Sequence, residues 1–166
     1  RLNEAIAFYE RARAINISSG IRSTSLICEN LSALHIHVGA IVAGEGFARR
    51  AVEEAGDPTE QASALAWQAW AAHLGGNIDV AGATFGQAEG REREGNPITH
   101  YLYALRGIQY TDHVRRMSDI NHAQRVAEAN LMICERNHWA YLVSGSHRVL
   151  GDLDSGTGQH ERARDH

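Results

Sequence analysis

Leu74-Gly75-Gly76-Asn77-Ile78-Asp79-Val80-Ala81, followed by Phe85 one turn later and Ala88 three residues beyond, decides the fold. Two glycines mark a tight turn, and aliphatic Ile78 stands three positions before the small Ala81. Spacings of three and four keep side chains on one face of a helix. A small residue in the middle of that face lets a neighbouring helix cross closely, while the larger residue fills the space beside the crossing. The stretch reads as the end of one helix, a turn, and the start of a second helix.

The same arrangement recurs on both sides. Upstream stand Leu2-Asn3-Glu4-Ala5 with Tyr9 and Ala12, and Ile41-Val42-Ala43-Gly44 with Ala48 and Ala51. Downstream stand Ile120-Asn121-His122-Ala123 with Ala127 and Asn130, and Leu153-Asp154-Ser155-Gly156 with His160 and Ala163. The small residues at 5, 44, 81, 123 and 156 are separated by 39, 37, 42 and 33 positions, the length of one helix pair with its turns. Punctuation keeps the same interval. Pro58 and Pro97 suit helix first turns, Gly56, Gly95 and Asn137 suit helix ends, and Gly39, Gly75-Gly76 and Gly151 mark the turn within each pair.

Period-two alternation is nearly absent, so strands are not expected. The pattern predicts nine helices, near 2–17, 22–38, 41–55, 58–74, 78–94, 97–116, 120–136, 138–150 and 153–165. They form one helical-repeat domain over 1–166, with a partial unit at 1–20 and full units at 21–56, 57–95, 96–137 and 138–166. An odd count opens the chain on the second helix of a broken pair, and the first residue is Arg, so the chain reads as a piece of a longer protein.

Composition narrows the chemistry. Net charge is −4, with no basic excess to neutralise phosphates, so neither a nucleic-acid nor an anionic-membrane partner is expected. All 16 cationic side chains are Arg. Without lysine there is no P-loop lysine, Schiff base or lysine general base. Cys28 and Cys134 lie within apolar helical patterns, where cysteine behaves as a small buried hydrophobe. No stretch approaches the roughly 18 apolar residues that span a bilayer, and a cytoplasmic location is expected.

These residues resemble the tetratricopeptide repeat family. Its pattern has a small residue at the turn, alanine opening the second helix, an aromatic four later and alanine three after that. Leu74–Ala81 with Phe85 and Ala88 follows it, as do Asn3-Glu4-Ala5-Ile6 with Tyr9 and Ala12, and Leu150-Gly151-Asp152-Leu153-Asp154 with Ala163. Repeats here run longer than the family's, Ala127 replaces the aromatic and Asn130 replaces alanine. The stretch Tyr103-Ala104-Leu105-Arg106-Gly107-Ile108-Gln109-Tyr110 is similar to divergent repeat regions of large bacterial signalling proteins. The resemblance implies an all-α fold, a right-handed α-solenoid of antiparallel helix pairs. Its concave face, lined by the first helix of each pair, would take a protein or peptide partner.

Counting back from the small residues along each first helix places Glu29, Ala33, Ile36, Ser63, Ala66, Trp70, His73, Ile108, Asp112, Arg115, Tyr141 and Arg148 away from the core. Trp70 and Tyr141 are the aromatic anchors, and Arg115 and Arg148 suit carboxylates. Trp67 and Trp70, three apart, share a face that is either core or groove. Asp112 with Arg115 or Arg116 also has the spacing of a local ion pair.

Ten histidines raise the question of a metal, but His35 and His37 diverge on a helix, no pair stands at i,i+4, and no Cys-x-x-Cys occurs. His138 and His147 read as helix-end and surface residues. Glu53, Glu54, Asp57 and Glu60 read as a solvated helix junction. Gly82, Gly86 and Gly90 recur on one helix face, which is either tightly packed or the first to fray. No catalytic residue, cofactor or metal is expected. The favoured reading is a protein-interaction module. The alternative is a ligand- or peptide-sensing regulatory domain of a larger signalling or transcription-regulating protein.

Overall fold

The computed structural model describes residues 1–20 and 24–166, and every regular element among them is a helix. These are α1 (Leu2–Ser18), α2 (Ser25–His37), α3 (Ile41–Glu54), α4 (Pro58–Leu74), α5 (Ile78–Gly95), α6 (Ala104–Arg116), α7 (Ile120–Arg136), α8 (Ala140–Gly156) and α9 (His160–Asp165). The expected start of the second helix at residue 22 lies outside the described residues.

Contacts divide the chain into two compact units, Arg1–Ile98 and Thr99–His166. In the first, each helix from α1 to α4 packs on its successor, and α2 also lies against α4. In the second, α6 to α9 pack in the same order, and α6 lies against α8.

The small-residue register selects the buried faces. Gly44, Ala48 and Ala51 are the buried residues of α3. Ala81, Thr84, Phe85, Ala88 and Glu92 are those of α5, and Ala123, Val126, Ala127, Asn130 and Cys134 those of α7. Counted from the small residue, the five buried positions of α5 and α7 coincide, and the three of α3 fall among them. Gly44 shows why the first must be small: a Cβ there would lie 2.7 Å from Ile36 Cγ1 of α2.

Left-handed backbone marks the turns just as regularly. Gly39, Gly76, Ser118 and Gly158 have φ of 81°, 84°, 64° and 77°. Each stands five residues before a small residue: Gly44, Ala81, Ala123 and Ala163. That last pairing corrects the expected final repeat. Helix α8 continues through Gly151 to Gly156, and the turn is Thr157-Gly158-Gln159. Ala163, forty residues after Ala123, therefore holds the register place assigned to Gly156. Gly151 is a packing residue instead, since a Cβ there would approach Ala163 O at 3.4 Å and His166 Cβ at 3.6 Å.

The sixth helix is also later than expected. Pro58 opens α4 because Asp57 accepts hydrogen bonds from Thr59 N (2.8 Å) and Glu60 N (2.9 Å). After Pro97 the chain stays non-helical as far as Tyr103, which is extended, and it buries Leu102 completely. Sinking that leucine takes the place of another turn of helix.

Gly86 and Gly90 of α5 are not close-packed. A Cβ at Gly86 or Gly90 would meet no atom within 4 Å. Nothing offsets their helix-propensity penalty, so Gly86→Ala and Gly90→Ala are each expected to stabilise the chain by about 1 kcal/mol. Urea denaturation of both variants checks this, and a loss of stability in either would mean that hidden packing exists there.

Candidate functional site

A polar cluster ties the first three helices together. Arg13 of α1 donates from Nη2 to Glu54 Oε1 of α3 at 2.7 Å and from Nε to Cys28 Sγ of α2 at 3.2 Å. Thr24 Oγ1 donates to the other Glu54 oxygen, and Ser25 Oγ donates to Ala51 O at 3.0 Å. Burial pushes the Cys28 thiol up, so it is protonated and inert at neutral pH. For Glu54 burial acts upward too, but hydrogen bonds from Thr24 and Arg13, with the Arg13 charge, outweigh it and hold the carboxyl below its ordinary value.

A depressed folded-state value means that the group stabilises the fold above its unfolded pKa. That contribution disappears as pH falls through the folded value. Glu54→Gln is therefore expected to lose stability at pH 7 and to show a shallower decline of stability below about pH 4 than the parent. Parallel acid titrations of stability would contradict this. The cluster is a staple.

Burial sorts the residues expected on the partner face. In the first unit, Glu29, Ile36, Ala66 and His73 are buried, contrary to the expectation that they face outward. Different neighbours cover them, among them the side-by-side contact of α2 with α4. Glu29 accepts a hydrogen bond from Ser63 Oγ across that contact. Ile36 fills the space that Gly44 leaves open. His73 lies under Trp70, with ring centroids 5.0 Å apart and planes 10° from parallel. Ala33, Ser63 and Trp70 remain half-buried. The two tryptophans thus separate: Trp67 is core at 8% exposure, and Trp70 keeps an accessible edge.

In the second unit, Ile108 and Asp112 are buried. Asp112 takes Arg115 Nη2 at 2.7 Å and Arg116 Nη2 at 3.5 Å, so the local ion pair is what forms. Arg115 is thereby engaged and half-buried. Tyr141, 80% exposed, and Arg148 lie two turns apart on α8 and share a face with exposed Ser144 between them. Arg148 pairs with Asp152 at 3.1 Å, an exposed contact that a partner carboxylate can displace at little cost.

One feature escaped the sequence. An open groove of about 700 Å³ is lined by Glu135, His138, Ala140, Val143, Ser144, His147 and His166. Its histidines lie far apart in the chain, and the α8–α9 turn brings His147 Nδ1 to 3.1 Å from His166 Nδ1. Sequence spacing holds no signal for such a pairing once the last turn is misplaced. Among the described residues no group of three or more His, Cys, Asp or Glu side chains is arranged to hold a metal ion, and no helix is long and apolar enough to cross a membrane.

No protein-family model matches the chain, and no curated protein matches it.

Proposed function

We propose that this chain is a protein-interaction module, a tetratricopeptide-like α-solenoid whose first helices present a partner-binding face. The observation that carries the reading is Trp70. It is a half-buried aromatic, held rigid by stacking on buried His73, on the same helix as Ser63, which is bonded to Glu29 of α2. An aromatic already fixed in place loses little entropy when a partner covers it, which is the character of a binding hot spot. Tyr141 and Arg148, two turns apart on one face of α8, supply a second aromatic and Arg of the kind enriched at interfaces.

Peptides selected from a displayed random library against the purified chain test the reading. Trp70→Ala is expected to weaken the selected peptides by about 2 kcal/mol, roughly thirty-fold, with helical content unchanged. Selected peptides that bind Trp70→Ala and Tyr141→Ala as tightly as the parent would count against this face.

A ligand-sensing regulatory role has one observation in its favour, the groove lined by His138, His147 and His166. Its volume, about 700 Å³, lies within the range of small-molecule sites. Nothing comparable supports chemistry on such a molecule, so the interaction reading is preferred.

A further inference from the structure

Two of the ten histidines are brought together by the last turn of the chain. His147 stands on α8, and His166 follows α9, nineteen residues later. Their Nδ1 atoms are 3.1 Å apart, with ring centroids 5.3 Å apart and planes tilted by 38°. Both rings line the open groove, which His138, Glu135 and Ser144 also border. Neither ring is sealed: the His166 side chain keeps 19% of its surface, and His147 is half-buried.

The other nitrogen of His166 also has a defined neighbour. Nε2 lies 3.5 Å from Asp154 Oδ2. Asp154 is buried, at 3% exposure, and this oxygen has no hydrogen-bond partner among the described residues. Arg162 Nε stands 3.6 Å from the same oxygen. A buried carboxylate draws the His166 proton to Nε2, which leaves the Nδ1 lone pair on the side of His147 and the groove. An imidazole with a carboxylate behind it and a lone pair in front has the form of a metal ligand.

We propose that His147 and His166 bind one divalent transition-metal ion of the zinc, nickel or copper class through their Nδ1 atoms, with Asp154 as the carboxylate that orients His166. Two imidazole nitrogens that share an ion at roughly 2.0–2.1 Å stand about 2.9–3.4 Å apart for angles of about 90–110°. The separation of 3.1 Å falls in that window. The ion takes the place of the proton that the two rings otherwise share, and a modest turn of each ring converges their lone pairs on the groove side. Among the described residues no third His, Cys, Asp or Glu completes the set, so water from the groove fills the other positions. Imidazole selects this class of ion, whereas magnesium and calcium take oxygen ligands. Spacing within one helix excludes chelation by neighbours in sequence, but this pair joins α8 to the end of α9. A bound ion therefore clamps the last helix against α8. The site uses none of the residues assigned to partner binding, and it does not rest on the interaction reading.

Calorimetric titration of zinc chloride into the untagged chain tests the proposal, with magnesium chloride as the control. A single saturable zinc site is expected, copper binding more tightly than zinc and magnesium not at all. His147→Ala and His166→Ala should each weaken zinc by at least about tenfold, and Asp154→Asn by about ten- to a hundredfold, with helical content unchanged. His37→Ala, on α2, should leave the affinity as it is. Zinc at about 100 times its Kd should raise the parent's melting point, and His147→Ala should abolish the rise. No zinc binding by the parent overturns the proposal. Undiminished affinity in both His147→Ala and His166→Ala does so too, since it shows an adventitious ion on other histidines only. An Asp154→Asn chain that binds zinc as tightly as the parent contradicts the part given to Asp154. None of these outcomes bears on the Trp70→Ala peptide test, so the two readings fall separately.

Discussion

Phe85→Ala is expected to lower the unfolding free energy by about 3–5 kcal/mol, the largest loss available from a single truncation in the first unit. Phe85 is among the largest side chains that are fully buried, at the register place that Ala48 and Ala127 hold on α3 and α7. Those helices keep alanine there, so the ring fills a space specific to α5, the helix packed on α4. Truncation leaves a cavity in a fully buried place, and six of the buried residues of α4 are alanines, which have no length to spare for filling it. Phe85→Leu, which retains most of the volume, should cost less than half as much. Urea denaturation of both variants measures the difference, and a loss below about 1.5 kcal/mol for the alanine variant would mean that the ring is not the keystone of this pair.

Gly107→Ala should be nearly as damaging, at about 2–4 kcal/mol, and the damage should depend on Asn130. A Cβ at Gly107 would lie 2.7 Å from Asn130 Cγ, 2.8 Å from Asn130 Oδ1 and 2.8 Å from Leu102 O. Asn130 cannot retreat without loss. Its Nδ2 donates to Ala104 O at 3.2 Å and to Ser146 Oγ at 3.0 Å, joining α7 to the start of α6 and to α8. This explains why asparagine stands where the repeat pattern has alanine: it is a buried bridge, and Gly107 makes room for it. Asn130→Ala alone should cost about 1–3 kcal/mol, because it removes both of these hydrogen bonds, and the one that Cys134 Sγ donates to Asn130 Oδ1, from a buried site. In the double-mutant cycle the Gly107→Ala cost should shrink by at least about 1 kcal/mol in the Asn130→Ala background, with the remainder due to the Leu102 carbonyl. Additive losses would show that the two sites do not share this space.

Much of the fold was legible because burial here is local and periodic. Alanine and glycine at one register place, with a larger residue beside them, reveal the buried faces of α3, α5 and α7 before any contact is seen. Two passages were not legible, for physical reasons that a periodic pattern cannot encode. Leu102 is buried from a non-helical segment, so its apolar character was absorbed into the helix predicted from Pro97. Gly151 has the composition of a turn but the role of a helix contact, and the real turn, at Gly158, lies seven residues further on.

The candidate site was harder to read than the fold. Residues of the first helices have neighbours on both flanks, and a single register count does not separate the flank that meets the next first helix from the face left open. Glu29 and His73 fall on covered ground for that reason, while Trp70 and Tyr141 keep accessible surface. The facing pair His147 and His166 depends on the α8–α9 turn and leaves no trace in spacing along the chain.

The central claim is that helix pairs repeat at a common register, so that one interval can be removed without losing the fold. Deleting residues 44–80 joins Ala43 to Ala81 and removes one interval. Deleting 44–78 leaves two extra residues, which turn the following helix by about 200° about its axis. Urea unfolding followed by circular dichroism is expected to show a single cooperative transition for the first deletion and its loss for the second. Loss of cooperative unfolding in both, or its equal survival in both, would contradict the account.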